Sequence, residues 1–317
     1  INTPSDLVAL SNMPIEKVSA NRDGTKAVSF EITPKMSTYL VVLVVADLAC
    51  VEEKTKHGTT IAVWAVRGKE QQGRFALETS VKVLDYFNNY FQIPYPLPKM
   101  DHIAIPEFAA GAMENWGGIT YRETALLFDP DNSAAASRQR IAEVVAHEMA
   151  HMWFGDLVTM EWWDDLWLNE SFASWVGDKS VGKVFPEWNM WTQFVAHDTQ
   201  AGLGLDGLRN SHPIGVDVKN PAEISEIFDA ISYSKGGSVL RMLEAYLGEE
   251  TFQAGLHNYL SEHQYANARK DDLWTALEES SGRPVIEIMT AWVNQTGHPV
   301  LDVNINRGSE TVIDISQ

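Results

Sequence analysis

The motif His-Glu-x-x-His at residues 147–151 constrains this chain more than any other feature of its sequence. On a helix, His147 and His151 lie about 40° apart around the axis, so both imidazoles can reach one metal ion. Glu148 lies about 100° from His147, which suits a general base better than a ligand. Glu170 follows His151 after eighteen intervening residues and can supply a third ligand. Three protein ligands leave one position for water, and this predicts a catalytic zinc site.

The residues around this motif predict a helix that is mostly buried. Apolar side chains recur there at helical spacing, at Ile141, Val144, Val145, Met149, Met152 and Phe154. Histidines and a glutamate within a buried helix need polar partners, and a divalent cation supplies them. A helix with two unconnected surface histidines is the alternative, and the apolar pattern favours the zinc site over it.

The composition limits the partners and the compartment of the chain. Its 317 residues are 45% hydrophobic, enough for a large core, and its net charge is −19. Such an acidic chain does not favour nucleic acid or anionic membranes, whereas it can attract cationic groups such as the amino terminus of a peptide. Cys50 is the only cysteine, so no internal disulfide is possible. A lone cysteine favours a reducing compartment, and we predict a cytoplasmic location.

The ends of the sequence predict a piece of a longer protein. Ile1 is not an initiator residue, and polar residues close to it interrupt any signal-peptide core. The longest apolar run, residues 40–46, is ended by Asp47 and predicts a buried strand rather than a membrane span. We therefore expect flanking domains as partners of this chain, and an anchor upstream of Ile1 would leave no trace in it.

The hydrophobic patterns divide the chain into three units. Residues 1–52 contain strand-like segments and predict the end of an N-terminal β-domain. Residues 53–298 begin with a strand at 60–66, and helices dominate after Ser137, which predicts an α+β domain with a mixed sheet lobe and a mostly helical lobe. Residues 299–317 return to strands and predict the start of a following β-sandwich domain.

Apolar residues at helical spacing predict the main helices of the middle unit. One helix spans residues 75–91 and is ended by the prolines that follow it. Asp164 or Asp165 is expected to N-cap the helix that carries Glu170. The later helices are predicted at residues 187–202, 234–247, 251–263, 270–280 and 285–296.

A second segment with chemical potential consists of Gly111, Ala112, Met113, Glu114 and Asn115, just after a predicted strand. The small side chains at its start let a substrate backbone lie along it and pair with it. The Glu114 carboxylate would then project beside the substrate and could bind a terminal ammonium. An edge strand with one solvated glutamate is the alternative, and the residues alone do not decide between the two.

Tyr233 stands at a predicted helix start within Ser-Tyr-Ser-Lys-Gly at 232–236. A phenol there could donate a hydrogen bond to an oxyanion. A half-buried tyrosine whose hydroxyl has another partner is the usual situation for a lone tyrosine.

Asp156 follows His151 by five residues and could orient its imidazole. It could equally cap a turn.

Three motifs together carry a resemblance to a known family. They are Gly-Ala-Met-Glu-Asn at 111–115, His-Glu-x-x-His at 147–151 with its gap to Glu170, and Tyr-x-Lys-Gly at 233–236, in this order. The chain thereby resembles the M1 family of zinc aminopeptidases, which includes aminopeptidase N and the puromycin-sensitive enzymes. The resemblance implies a thermolysin-like metallopeptidase domain flanked by partial β-domains.

The resemblance also implies how the metal would be held. His147, His151 and Glu170 would bind one zinc ion per chain, and Glu148 would act as the general base toward a zinc-activated water.

The same resemblance implies roles in substrate binding. Residues 111–115 would run along the substrate, with Glu114 on its free α-amino group and Met113 in the first side-chain pocket. Tyr233 would stabilise the tetrahedral intermediate.

The function predicted on this basis is a zinc-dependent aminopeptidase that hydrolyses the amino-terminal residue from peptides. A thermolysin-like zinc endopeptidase is one alternative, since it shares the zinc site without needing Glu114. An inactive fragment that binds peptides is another, because relatives carry further domains that help to hold the amino terminus and cover the site.

Overall fold

The strands lie mainly in the first 122 residues, where β-branched and other apolar side chains alternate. The computed structural model describes residues 1–308 and 310–317. The strands in these residues are β1 (Asn2–Pro4), β2 (Val8–Ser11), β3 (Ile15–Ala20), β4 (Thr25–Phe30), β5 (Leu43–Ala46), β6 (Leu48–Lys54), β7 (Thr60–Val66), β8 (Lys99–Ile105), β9 (Ala112–Met113), β10 (Gly118–Arg122), β11 (Val158–Met160), β12 (Ala266–Ala268), β13 (Asp302–Arg307) and β14 (Thr311–Ser316).

The largest sheet has five strands in the order β6-β7-β8-β10-β9. Its middle strands β7, β8 and β10 run parallel, whereas β6 and β9 are antiparallel to their neighbours. The central strands are mostly buried, as is usual for parallel strands. This arrangement leaves the two-residue strand β9 at the edge of the sheet.

The remaining strands form smaller sheets. β1, β4 and β3 make a three-stranded sheet, β2 pairs with β5, β11 pairs with β12, and β13 and β14 form a hairpin. The predicted domain boundary at residue 52 falls within β6, which pairs with β7 along its whole length. The division of the chain into three domains stays a prediction.

Helices make up most of the chain after Ala134. The helices in the described residues are α1 (Arg74–Phe91), α2 (Ala135–Ala150), α3 (Trp167–Val184), α4 (Met190–Phe194), α5 (Gln200–Asp206), α6 (Gly236–Leu247), α7 (Glu249–Glu262), α8 (Lys270–Ser281) and α9 (Val285–Asn294). The predicted α+β class is thus confirmed, and so are the helices at 75–91, 234–247, 251–263, 270–280 and 285–296 to within two residues at each end.

Three local predictions were wrong. The apolar run at residues 40–46 is not a buried strand: only its second half forms a strand, β5, whose side chains are exposed or half-buried. The helix expected at residues 187–202 is broken into a short 3-10 turn, α4, a π-helical turn at Val195–Thr199 and α5. Asn189 has a left-handed backbone conformation that separates the first two of these elements.

The cap predicted for α3 was also wrong. Leu166 occupies the N-cap position and makes no side-chain cap bond. Asp164 Oδ1 instead accepts a hydrogen bond from the backbone N–H of Val218 at 2.6 Å, and Asp165 forms an ion pair with Lys270 at 3.3 Å. Both carboxylates therefore have distant partners that local sequence does not reveal.

The helices α2 and α3 approach closely where they carry the predicted ligands. A β-carbon at Gly177 on α3 would lie 3.1 Å from the backbone nitrogen of His147, so a side chain there would push the helices apart. Phe154 and Phe172 stack on each other, with ring centroids 4.3 Å apart and an angle of 7° between the rings. This buried aromatic contact joins the chain just beyond α2 to the start of α3.

No helix in the described residues is long and apolar enough to cross a membrane. The cytoplasmic location stays a prediction.

Candidate functional site

The three predicted ligands converge at the junction of α2 and α3. His147 lies in the last turn of α2, His151 follows that helix directly, and Glu170 lies in the first turn of α3. The two Nε2 atoms are 3.1 Å apart, and Glu170 Oε2 lies 3.2 Å from His147 Nε2 and 3.5 Å from His151 Nε2. Ligand atoms around a tetrahedral zinc ion are about 3.3 Å apart, given the usual zinc–nitrogen distance. The donor set therefore fits zinc.

The orientation of His151 is set by a backbone carbonyl. Its Nδ1 lies 3.0 Å from the carbonyl oxygen of Phe154. A carbonyl can only accept, so Nδ1 donates its hydrogen, and in the neutral imidazole Nε2 then keeps its lone pair for a metal. This corrects the role suggested for Asp156. Its carboxylate oxygens are buried and have no hydrogen-bond partner among the described residues, and only its backbone N–H bonds to His151, at the carbonyl oxygen.

The electric field of the site favours a positive charge between these ligands. Burial lowers the pKa of His151, but the carboxylates of Glu114 and Glu170 outweigh it and raise the pKa well above its usual value. Burial raises the pKa of Glu170, yet His151 and His147 outweigh it and hold the pKa below its usual value. The same carboxylates would stabilise a divalent cation bound between these groups.

Glu148 lies beside this cluster. Its carboxylate, that of Glu114 and a ring nitrogen of His151 lie within 4.8 Å of one another. Burial raises the pKa of Glu148 well above its usual value, while His151 opposes this shift and Glu114 adds to it. A carboxylate with a raised pKa is a stronger base, which suits proton transfer near neutral pH.

Those three residues also form a second group that could hold a metal. The first group fits zinc better because it offers two imidazole nitrogens and one carboxylate, whereas the second offers one nitrogen and two carboxylates. Glu114 and Glu148 are then left to act on a substrate.

The segment 111–115 contains the edge strand of the large sheet, but its glutamate is buried and not solvated. Ala112 and Met113 make β9 and pair with β10, and Glu114 follows, buried within the site. Burial raises the pKa of Glu114, His151 opposes this, and Glu170 adds to it. Asn115 has a different position: its side chain accepts from Thr120 and donates to the backbone of the loop before β5, so it holds the segment in place.

Tyr233 lies in a π-helical turn, Ile231–Lys235, that precedes α6. Its ring stacks on that of His147, with centroids 5.9 Å apart and an angle of 18°. Burial raises the pKa of Tyr233 far above its usual value, and the carboxylates of Glu170 and Glu148 add to this. The phenol therefore keeps its proton at neutral pH and can act as a hydrogen-bond donor.

A cavity of about 630 Å³ joins these groups. Gly111, Ala112, Met113, Glu114, His147, Glu148, His151, Glu170 and Tyr233 all line it, whereas Asn115 is not among its lining residues. The structure thus brings together nine of the ten residues to which the resemblance gives a role, and Asp156 also lies outside the lining.

Sequence reasoning missed several residues that line the same cavity. Arg140 and Val144 precede His147 on one face of α2, and Ser174 and Asp178 follow Glu170 at intervals of four on α3. Extending the helical period from the predicted ligands could have found these four. Phe228 also lines the cavity, and no local pattern indicates it.

Comparison with known proteins gives two family matches. Residues 75–292 match the peptidase family M1 domain, and residues 1–40 match the peptidase M1 N-terminal domain. The first match contains every residue that lines the cavity.

Individual relatives are similar over nearly the whole chain. Aminopeptidase M1 of Arabidopsis thaliana is 57% identical over 97% of this chain and 35% of its own length. Puromycin-sensitive aminopeptidase of Caenorhabditis elegans is 49% identical over 100% of this chain and 34% of its own length. The mitochondrial aminopeptidase 2 of Saccharomyces cerevisiae is 51% identical over 96% of this chain and 32% of its own length. The chain spans about a third of the length of these relatives.

Proposed function

The chain belongs to peptidase family M1, and from this premise we propose that it forms the catalytic site of a zinc-dependent aminopeptidase. One observation carries the proposal: Glu114, buried at the sheet edge, shares a cavity with Glu148 and with the ligand set of His147, His151 and Glu170. The ligand set and Glu148 provide for hydrolysis. A second buried carboxylate beside them provides for a substrate cation, which in a peptide is the free amino terminus.

His147, His151 and Glu170 are the residues that would hold the zinc ion. When bound, zinc polarises a peptide carbonyl and lowers the pKa of water toward neutrality. Glu148 accepts a proton from the attacking water and passes it to the departing amine. Both transfers use one carboxylate, and its raised pKa suits the acceptance and the return of a proton.

Glu114 and Tyr233 act on the two ends of the amino-terminal residue of the substrate, its ammonium group and its carbonyl group. The Glu114 carboxylate accepts hydrogen bonds from the α-ammonium group and so sets how far the substrate enters the cavity. The Tyr233 hydroxyl donates to the carbonyl oxygen as that oxygen gains negative charge. Because the ammonium is held one residue from the bond that breaks, cleavage removes a single amino-terminal residue.

The hydrolysis of a short peptide and of its N-acetylated twin tests the proposal directly. With zinc present, we expect cleavage of the free peptide alone, one residue at a time. Cleavage of both peptides would indicate an endopeptidase. If neither peptide is cleaved although zinc binds stoichiometrically, the chain by itself is not a peptidase.

Replacing Glu114 with glutamine tests the anchor. A hydrogen bond to a charged group contributes about 1.5–3 kcal/mol, so we expect kcat/KM for the free peptide to fall by roughly tenfold to a hundredfold. Glu107→Gln serves as the control, since Glu107 is exposed in the loop before β9 and does not line the cavity. An unchanged kcat/KM in Glu114→Gln would mean that the ammonium binds elsewhere.

Replacing Tyr233 with phenylalanine removes one donor to the oxyanion. We expect kcat to fall by about a hundredfold, within a range of tenfold to a thousandfold, with a small change in KM. Tyr90→Phe is a matched control, because the Tyr90 hydroxyl is buried outside the cavity and has no hydrogen-bond partner among the described residues. If both variants turn over like the unmodified chain, Tyr233 serves in packing only.

A further inference from the structure

The hydroxyl of Ser171 connects α3, the helix that carries Glu170, to the turn that carries Tyr233. Ser171 follows Glu170 on α3 and is completely buried. Its Oγ donates a hydrogen bond to the backbone carbonyl of Ser232 at 2.6 Å. Ser232 immediately precedes Tyr233, so one short hydrogen bond joins the two segments next to the groups that would act on the substrate.

The start of α6 leaves room for this hydroxyl. A β-carbon at Gly236 would overlap Ser171 Oγ and would lie 2.9 Å from Ser171 Cβ. Ser171 therefore lies against the bare backbone of Gly236 while its hydroxyl reaches Ser232. These two contacts of Ser171 help to fix the distance between α3 and the turn before α6.

The turn that carries Tyr233 has an unusual backbone conformation. Ile231–Lys235 is a single π-helical turn, a conformation that is rare and often found at functional sites. Tyr233 stands in its middle, and its ring stacks on His147. Other side-chain hydrogen bonds near the turn include those from Ile231 N–H to Asp229 and from Ser234 Oγ to Asp198. Ser171 supplies a side-chain hydrogen bond to the turn from α3, the helix that carries Glu170.

We propose that Ser171 is a positioning residue that fixes the Tyr233 phenol relative to the Glu170 carboxylate. This inference rests on the proposed function, since it assigns Ser171 a part in placing the oxyanion donor. Ser171 is absent from the cavity lining, so it has no direct contact with a substrate there. Ser171 acts through Tyr233: without the Ser171 hydroxyl, the turn that carries Tyr233 shifts by a fraction of an ångström.

The test replaces Ser171 with alanine and compares it with Ser180→Ala. Ser180 is a matched control because it lies on the same helix, is also completely buried and also donates to a backbone carbonyl, that of Gly177. Misplacing a catalytic group costs less than deleting it, so we expect kcat to fall by about tenfold in Ser171→Ala, with KM changed less than twofold. Ser180→Ala should keep its kcat.

A double-mutant cycle separates action through Tyr233 from a general effect. In a Tyr233→Phe background, Ser171→Ala should cause no further loss of kcat, because the donor that it positions is gone. An equal loss in both backgrounds would overturn the proposal. Zinc affinity, measured by competition with a chelator, should stay within about twofold; a larger loss would place the effect on Glu170 and also overturn it.

A structural readout keeps the test independent of turnover. Crystal structures of the unmodified chain and of Ser171→Ala should show the Tyr233 hydroxyl displaced relative to Glu170, and an unmoved hydroxyl would contradict the proposal. If Ser171→Ala does not fold, Ser171→Cys keeps a side chain of similar shape and replaces the hydroxyl with a weaker hydrogen-bond donor. If the unmodified chain cleaves no peptide, the proposed function fails, whereas the crystal structures still decide whether Ser171 positions Tyr233.

Discussion

Replacing Glu148 with glutamine is expected to lower kcat by about a hundredfold to ten-thousandfold while zinc remains bound. Glutamine has nearly the same shape as glutamate but cannot accept a proton at neutral pH. The side chain is buried beside His151 and Glu114 and lies outside the ligand set of His147, His151 and Glu170. The substitution should therefore remove proton transfer and leave metal binding and substrate binding in place.

The measurements that check this are kcat with a free-amine peptide and the zinc content after dialysis. We expect one zinc ion per chain in both proteins and a KM within a few-fold of the original value. Glu78→Gln, at an exposed position on α1, controls for the loss of one carboxylate elsewhere. Turnover of Glu148→Gln close to that of the unmodified chain would remove Glu148 from the mechanism.

Replacing Glu170 with glutamine is expected to weaken zinc binding by on the order of a hundredfold or more and to abolish turnover at low zinc concentrations. Substituting groups that merely support a metal ligand costs about tenfold to a hundredfold in affinity, so substituting a ligand should cost at least as much. The neutral amide also removes the charge that, with Glu114, raises the pKa of His151. The shape of the side chain is preserved, so the fold should be retained.

Thermal unfolding in the presence and absence of zinc provides a second measurement. A ligand that binds only the folded state raises its stability with concentration, so zinc should raise the Tm of the unmodified chain more than that of Glu170→Gln. Glu161→Gln, an exposed glutamate that pairs with Arg269, should behave like the unmodified chain. Unchanged zinc affinity in Glu170→Gln would instead favour the alternative group of Glu114, Glu148 and His151.

Much of the candidate site could be predicted because its spacing is local. His147 and His151 are one helical turn apart, so any helix at 135–150 brings their imidazoles to one side, and the Nε2 atoms indeed lie 3.1 Å apart. The apolar residues of the motif's helix and of α1 repeat with the same period, and this predicted both helices. The prolines after residue 91 predicted the end of α1.

Other features depend on residues that are distant in sequence. Asp164 and Asp165 are residues of a type that often caps helices. In the structure their carboxylates instead contact the backbone N–H of Val218 and the side chain of Lys270. Asp156 follows His151 closely, yet the Phe154 carbonyl is better placed to accept from the imidazole. In each case several partners are chemically acceptable, and only packing decides which one lies within reach.

The sequence by itself determined the candidate chemistry of this protein: two imidazoles and a carboxylate that could hold zinc, a glutamate beside them proposed as the general base, and a second segment with one glutamate, Glu114. These follow from residue type and from the period of a helix, which the chain carries locally. Only the tertiary structure decided that Glu114, Tyr233 and the ligands share one cavity, and that Ser171 joins α3 to the turn of Tyr233. The physical reason is that contacts between residues 30 or more positions apart depend on how buried surfaces fit together, as at Gly236 and Gly177, and no local period encodes that fit.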